Sequence, residues 1–254
     1  MKVTVSIVTY NSADEILNVL SSLDKVKIED FQIIVVDNAS IDNTRELIAQ
    51  NYPKIKLIKS VKNIGFGAGH NLAVKQIESD YHIFINPDIT VEADQINRML
   101  EYMEKNKDVV LLTPKVLNVD GSEQFLPKKY PRIRYVISGK YEGKFKLCYR
   151  WRSQYTLRNK KIIEPIEIQY STGCFMVCRT DTLKKVGGFD ERYFLHFEDA
   201  DLTREMMKYG KAIYNPKVYV THGWHRDNIK SKKIGKIALQ SLLKYFLKWR
   251  YISI

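Results

Sequence analysis

The sequence predicts an α/β protein, a mainly parallel sheet flanked by helices. Short β-branched apolar runs alternate with amphipathic stretches through residues 1–114, the pattern of successive βαβ units. The 254 residues are 44% hydrophobic and 28% charged, a globular composition with enough apolar material for one large domain. That composition excludes a disordered, collagen-like or disulfide-stapled chain.

The β-branched runs Val3–Thr9, Gln32–Asp37, Ile55–Lys59, Tyr81–Asn86 and Val109–Pro114 are the expected strands. The amphipathic stretches between them, Ser12–Leu23, Asp42–Gln50, Ala68–Glu78 and Glu92–Asn106, are the expected helices, and the alternation is a nucleotide-binding layout. Asp120-Gly121 is a two-residue hairpin signal, so the parallel run should give way to an antiparallel excursion. Residues 128–161 interleave Tyr130, Tyr135, Tyr141, Phe145, Tyr149, Trp151 and Tyr155 with cations and show little periodicity. They read as a surface insertion, partly mobile. An apolar strand over Ile168–Cys178, a helix from Asp199 to Tyr209 and a strand at Val218–Thr221 return the chain to the core. In the tail, Leu239, Leu242, Leu243, Phe246, Leu247, Tyr251 and Ile254 follow helical spacing, with Lys236, Gln240, Lys244 and Lys248 on another face. Residues 226–254 therefore read as a basic amphipathic helix appended to a domain of residues 1–225. Such a helix docks on its own domain, lies in an anionic membrane interface, or pairs with a second copy of the chain.

The net charge of +12 is confined to two segments. By segment it is −5 over 1–127, +11 over 128–161, −1 over 162–225 and +7 over 226–254. Two basic patches on a near-neutral body point to an anionic surface or ligand: lipid headgroups, a diphosphate or nucleic acid. Cys148, Cys174 and Cys178 are an odd number without the spacing of a zinc site or disulfide framework, which reads as a reducing compartment. Residues 3–9 are too short for a signal-peptide core, and no stretch reaches the roughly 18 apolar residues of a spanning helix, so a soluble or peripheral protein is expected.

Parallel α/β sheets bind ligands at the carboxyl ends of their strands. Those ends carry Thr9-Tyr10-Asn11, Asp37-Asn38-Ala39-Ser40, Asn63 through Gly69, and Asn86-Pro87-Asp88. Asp37 can accept hydrogen bonds from a base or ribose. The glycines at 65, 67 and 69 either let backbone approach an anion at a helix N-terminus or simply form a turn; they lack the spacing of the dinucleotide fingerprint. Asp88 either reaches a divalent cation on a diphosphate or caps the next helix. Glu198-Asp199-Ala200-Asp201 packs three acids at a helix start behind an aromatic run, where the helix dipole explains part of the clustering and a general base another part. His222, in His222-Gly223-Trp224-His225, offers an imidazole to metal or phosphate, or is simply solvated.

Together these residues resemble the family 2 glycosyltransferases of GT-A fold, particularly the bacterial rhamnosyltransferase-like branch that builds surface polysaccharides. The resemblance is carried in order by residues 5–11, Val35-Val36-Asp37-Asn38-Ala39-Ser40, 63–67, Asn86-Pro87-Asp88, 171–176, Gly187-Gly188-Phe189-Asp190-Glu191 and Phe197 through Leu202. It implies a GT-A mixed sheet in which Thr9, Asn11, Asp37, Asn63, Gly65, Asn86 and Asp88 bind the nucleotide sugar. It implies Asp88 and His222 as ligands of a divalent metal, Mg²⁺ or Mn²⁺, and Asp199 as the catalytic base of an inverting displacement. Gly173, Asp190 and Glu198 are the implied acceptor contacts. Asn86 replaces the first acid of the family's Asp-x-Asp, which leaves a weaker metal site. The Gln-x-x-Arg-Trp motif of polymerising members is missing, so non-processive transfer is expected. The donor implied is dTDP-L-rhamnose, with a UDP-hexose as the alternative; the acceptor is a glycan or a polyprenyl-diphosphate-linked glycan. With such an acceptor the two basic segments face an anionic membrane, placing the protein in the cytoplasm at the inner face of the cell membrane.

Two rivals are weighed. A nucleotidyltransferase needs a basic phosphate-gripping loop after the first strand, and residues 9–16 hold no Lys or Arg. A nucleic-acid-binding module could use 128–161, but it leaves Asp37, Asp88 and Asp199 unexplained, so no nucleic-acid partner is expected.

Overall fold

The long apolar run at the N-terminus becomes β1 (Lys2–Thr9), and it sits inside the sheet because it is buried on both faces. The computed structural model describes residues 1–223 and 232–250. The further strands are β2 (Asp30–Asp37), β3 (Lys56–Lys59), β4 (Tyr81–Ile85), β5 (Ile89–Thr90), β6 (Val109–Leu117), β7 (Ile166–Glu167), β8 (Phe175–Arg179) and β9 (Lys211–His222). The helices are α1 (Ile16–Leu23), α2 (Thr44–Asn51), α3 (Phe66–Val74), α4 (Ala93–Lys105), α5 (Ile133–Tyr141), α6 (Lys146–Tyr155), α7 (Thr180–Lys185), α8 (Glu198–Met206) and α9 (Lys232–Trp249).

The sheet runs β3-β2-β1-β4-β8-β6-β9-β5, with β7 added on β9. The first four strands are parallel, and β8 enters antiparallel between β4 and β6. The sheet is thus mixed, parallel in its first half as expected. Alternation along β1 divides the core: Val3, Val5 and Ile7 face α1 and α4, while Val8 faces the layer that contains α3, α7 and α8.

Four expectations change. Of the predicted strand 168–178 only Phe175–Cys178 is strand, in β8; residues 168–174 separate it from β7, and Tyr170 and Gly173 of this stretch line the site described below. The 120–121 turn closes on a single bridge, Leu117 to Glu123, instead of a strand pair. Val218–Thr221 is the end of the 12-residue β9, whose last residues pair with β5, an element not anticipated. The basic segment 128–161 is ordered into α5 and α6, which bury Tyr135, Ser138, Cys148, Ser153 and Tyr155. Its buried positions are small or phenolic, so the apolar periodicity that marks a helix is weak.

The tail helix docks on the body, but not by its leucines. Ser241 and Tyr245 are buried, the Ser241 hydroxyl donates to the Leu195 carbonyl at 2.8 Å, and Trp249 Nε1 donates to Asp201 at 2.7 Å. Leu239, Leu243 and Leu247 are exposed, whereas Leu242 and Phe246 are half-buried. Tyr251 and Ile254 of the expected apolar face lie outside the described residues. The three cysteines are free and buried. No helix among the described residues is long and apolar enough to cross a membrane.

Candidate active site

The carboxyl ends of β1, β2 and β4 share one edge, and there the strand-end residues meet. Asp37 is fully buried; it accepts from Arg45 Nε at 2.5 Å, from the Ser40 backbone N–H at 3.1 Å and from the Thr9 hydroxyl at 3.4 Å. Asn11, in the left-handed region at φ 54°, accepts from the Ile41 N–H through Oδ1, and its own N–H donates to Ser40 Oγ. Thr9, Asn11 and Asp37 therefore form one braced wall. Asn63 Oδ1 accepts from Asn38 Nδ2 and from the Gly65 N–H, both at 3.0 Å, so it shapes the loop entering α3.

The glycines of that loop are explained by protein neighbours. Gly65 has φ +93°, and a Cβ there would lie 2.3 Å from the Phe194 carbonyl oxygen. A Cβ at Gly67 would strike the Phe189 side chain at 2.8 Å, and one at Gly69 would strike Val8 at 2.9 Å. The Phe66 N–H donates to the same Phe194 carbonyl at 3.0 Å, so the start of α3 is closed by the loop that leads to α8. This packing accounts for the turn that the glycines were read to form.

Asn86 and Asp88 follow β4, and the Asn86 N–H donates to the Cys174 carbonyl at 2.9 Å. Asn86 Oδ1 and Asp88 Oδ1 are buried acceptors that no donor reaches. His222 Nε2 lies 3.2 Å from Asp88 Oδ2, and its Nδ1 is 2.9 Å from Gln124 Oε1. A 210 Å³ cavity opens against Asp88, Asp14 and Gly223. Two orphaned acceptors beside an imidazole are suitable chemistry for a hard cation. Among the described residues no three His, Cys, Asp or Glu side chains converge, so a cation held here would need further ligands such as phosphate oxygens or water. Trp224 and His225 lie outside the described residues.

Glu198 and Asp199 open α8. Phe197 before them is left-handed at φ 68°, as is His196. Asp199 accepts from the Tyr170 hydroxyl at 3.1 and 3.2 Å, from the Gly173 N–H at 2.9 Å and from the Ala200 N–H at 2.9 Å. Gly173 must be glycine-sized, because a Cβ would sit 3.3 Å from Asp199 Cβ and 3.1 Å from Phe66. Glu198 is 4% exposed, its Oε2 is without a hydrogen-bond partner, and burial beside Asp199 pushes its pKa well above the usual carboxyl range. Asp190, the other acceptor candidate, is tied to Arg192 by three contacts of 2.6–3.2 Å and to Lys248 at 3.3 Å. The Arg192 guanidinium holds its pKa down at about 2.

The glycosyl transferase family 2 model matches residues 4–187, which is most of the chain. The chain belongs to glycosyl transferase family 2. Among curated relatives, it is 27% identical over 231 residues to the N-acetylglucosaminyl-diphospho-decaprenol L-rhamnosyltransferase of Mycobacterium tuberculosis, covering 85% of this chain and 74% of that one. It is 26% identical over 263 residues to rhamnosyltransferase WbbL of Escherichia coli K12, covering 99% and 95%. Among solved structures it is similar to the mannosyltransferase PcManGT of Pyrobaculum calidifontis in complex with GDP-Man and Mn²⁺, with TM-score 0.65, 16% identity, and coverage of 100% of this chain and 65% of that one. The fold is GT-A, and this glycosyltransferase is rhamnosyltransferase-like in family.

Three residues of the glycosyltransferase escape sequence reasoning: Tyr170, which binds Asp199; Lys128, which pairs with Tyr170; and Asn38, whose Oδ1 and Nδ2 tie Ile64, Asn63 and Gly65 together. The available signal was the alternation Tyr170, Thr172 just before Gly173, which puts two hydroxyls on one face.

Proposed function

We propose that this enzyme transfers one sugar, with inversion, from a nucleoside-diphosphate sugar to a hydroxyl of a glycan or polyprenyl-diphosphate-linked acceptor. The observation that carries the reading is the contrast between two adjacent buried carboxyls. Asp199 receives one hydroxyl and two backbone N–H groups, which fix both its oxygens, while Glu198 keeps an oxygen without a hydrogen-bond partner and burial pushes its pKa up. A carboxyl held in place by three donors suits a positioned general base. In the displacement, the acceptor oxygen bonds to the anomeric carbon as Asp199 takes its proton. The bond from that carbon to the donor phosphate oxygen breaks, and its electron pair leaves with the nucleoside diphosphate. In this reading Glu198 contacts the acceptor. Thr9, Asn11 and Asp37 form the wall for the nucleoside, with Asn63 behind it.

Asp88 with Asn86 and His222 would hold Mg²⁺ or Mn²⁺, which neutralises the diphosphate. The orphaned oxygens support this, as does the Mn²⁺ in the structurally similar mannosyltransferase. The names of the two rhamnosyltransferase relatives support a dTDP-rhamnose donor, and that of the mycobacterial relative a lipid-diphosphate acceptor. Exposed Phe145, Leu147 and Tyr149 in the +11 segment, and Leu239, Leu243 and Leu247 in the +7 tail, support peripheral docking on an anionic cytoplasmic leaflet.

The test is nucleoside diphosphate release across UDP-, GDP- and dTDP-sugars with Mg²⁺, Mn²⁺ or EDTA, in wild type and Asp199→Asn. Metal-dependent release from one donor, lost in Asp199→Asn while that donor still binds, is the expected result. Calorimetry that detects no nucleotide sugar binding in wild type would sink the reading. Liposome sedimentation without preference for anionic lipid would remove the docking component alone.

A further inference from the structure

Lys128 and Tyr170 form an isolated antiparallel bridge. Directly opposed residues of antiparallel strands project to the same face, and a residue two further on projects there too. Lys128, Tyr170 and Thr172 thus share the face that meets the start of α8, where the Tyr170 hydroxyl reaches Asp199. The Lys128 ammonium lies 4.4 Å from the Tyr170 ring centroid and donates to Thr172 Oγ1 at 3.1 Å. The Thr172 hydroxyl donates a hydrogen bond to the Leu126 carbonyl at 3.2 Å, which leaves its lone pairs for the ammonium.

An ammonium has three donors, and here one goes to a hydroxyl and the charge faces a ring. Among the described residues no carboxylate stands within ion-pair distance of Lys128. Lysine is rarely withdrawn from water without a counter-ion, and this one is half-buried beside the tyrosine that reaches Asp199. Burial pushes the Lys128 pKa down to about 8, and Asp199 acts against that shift, so the group is still cationic at neutral pH.

We propose that Lys128 is an anion-binding residue on the acceptor side of the site, one of its two remaining donors taking an oxygen of a substrate phosphate next to Asp199. The inference rests on the glycosyl-transfer reading and adds to it a recognition element that discriminates phosphate-bearing from neutral substrates. Phosphate reaches the cleft from two sources, the diphosphate of the donor and a diphosphate on the acceptor sugar, and titrations separate them.

Wild type, Lys128→Met and Lys128→Arg are titrated calorimetrically with dTDP and UDP, and then with N-acetylglucosamine 1-phosphate and the neutral methyl glycoside of the same sugar. A charge-assisted contact to phosphate corresponds to roughly a ten- to hundredfold affinity loss in Lys128→Met, largely restored in Lys128→Arg. Loss confined to the sugar phosphate supports the proposal with an acceptor-borne phosphate. Loss confined to the nucleoside diphosphates supports it with a donor-borne one. Unchanged affinity for both, or equal loss for the neutral glycoside, overturns it. Wild type that binds nucleotide while Lys128→Met is unaltered leaves glycosyl transfer standing and removes only this inference; wild type that binds no nucleotide removes both. Should Lys128→Met not fold, wild type alone decides: affinity for the phosphate probe should fall as pH rises from about 7 to about 9.5 through the ammonium's titration, and a flat profile overturns the proposal.

Discussion

Replacing Lys248 by methionine removes the cation that joins α9 to α8. The ammonium lies 2.7 Å from Asp201 Oδ2, 3.1 Å from Glu205 Oε1 and 3.3 Å from Asp190 Oδ2. Asp190 keeps Arg192 and Glu205 keeps Lys208, so the loss falls on Asp201, whose side chain is 1% exposed and which retains the Trp249 indole N–H. Breaking a buried ion pair by removing one partner costs about 3–5 kcal/mol, and the partial exposure of Lys248 reduces this to about 2–3 kcal/mol. At about 2–4 °C per kcal/mol for a chain of this size, Tm should fall by about 4–12 °C. Burial raises the Asp201 pKa, with Lys248 and Trp249 acting against it. A carboxyl with a raised folded pKa binds its proton more tightly when folded, so its cost is present at higher pH and relieved as pH falls through the folded pKa. Without Lys248 that pKa rises further, so the Tm gap to wild type should narrow between about pH 7.5 and about pH 5. Differential scanning calorimetry at both pH values, with Asp201→Asn added to Lys248→Met, is the assay. A gap that stays constant with pH, or a double variant no more stable than Lys248→Met, would refute the reasoning.

Tyr170→Phe deletes the hydroxyl shared by both Asp199 oxygens, and steady-state assays should show kcat lowered by about tenfold or more with nucleotide affinity unchanged; an unaltered kcat counts against a role for this contact. Gly65→Ala puts a Cβ 2.3 Å from the Phe194 carbonyl at a φ of +93°. Urea denaturation should show a loss of at least about 2 kcal/mol, and a loss below about 0.5 kcal/mol would contradict the packing described. His70 and His82 share the Ser6 hydroxyl at 2.7 and 2.8 Å, and burial lowers both pKa values, that of His82 to about 3. Their contribution to stability is complete above about pH 6.5 and is lost as pH falls below it, at about 1.4 kcal/mol per pH unit for each ring. His82→Gln should therefore flatten the acid-side slope of unfolding free energy by about one proton, and equal slopes would contradict it.

The parallel half of the sheet was legible because every contact that makes a strand apolar there is repeated at period two: Val3, Val5 and Ile7 read as a strand before any partner is known. The strand ends were legible for the same reason, since Asp37 and Asp88 follow directly from where the apolar runs stop. What could not be read depends on partners distant in sequence. Gly65 is visibly a glycine, but its cause, the Phe194 carbonyl, lies more than a hundred residues on. Lys128 looks like one cation among many until the bridge to Tyr170 singles it out. The tail was legible as a helix and misread in its face: apolar spacing selects Leu239, Leu243 and Leu247, while the surface it meets carries Asp190, Asp201 and Glu205 and selects Lys248 and Trp249 instead.

Both basic segments pack into one aromatic cluster next to the start of α8. Tyr155 of α6 lies 6.5 Å from the Tyr170 ring and stacks on Tyr135 of α5 at 5.0 Å, so the helical insertion backs the hydroxyl that binds Asp199. Tyr245 of α9 packs 5.7 Å from the Phe197 ring, and Ser241 holds the Leu195 carbonyl. Between these anchors His196 and Phe197 are both left-handed, at φ 68°. Non-glycine residues in that region cost on the order of 1 kcal/mol each, and such a turn persists only where its surroundings over-determine it. Seating α9 therefore maintains the turn that aims Glu198 and Asp199, independently of whatever the exposed leucines meet. Two variants separate these functions. Tyr245→Ala should lower kcat on a water-soluble acceptor analogue as well as Tm, because the turn relaxes. Leu243→Ser combined with Leu247→Ser, both on the exposed face, should leave that kcat and Tm unchanged and weaken only liposome sedimentation. Equal kcat losses in the two variants would mean that α9 acts on the site through its outer face, and the assignment of positioning to Tyr245 would fall.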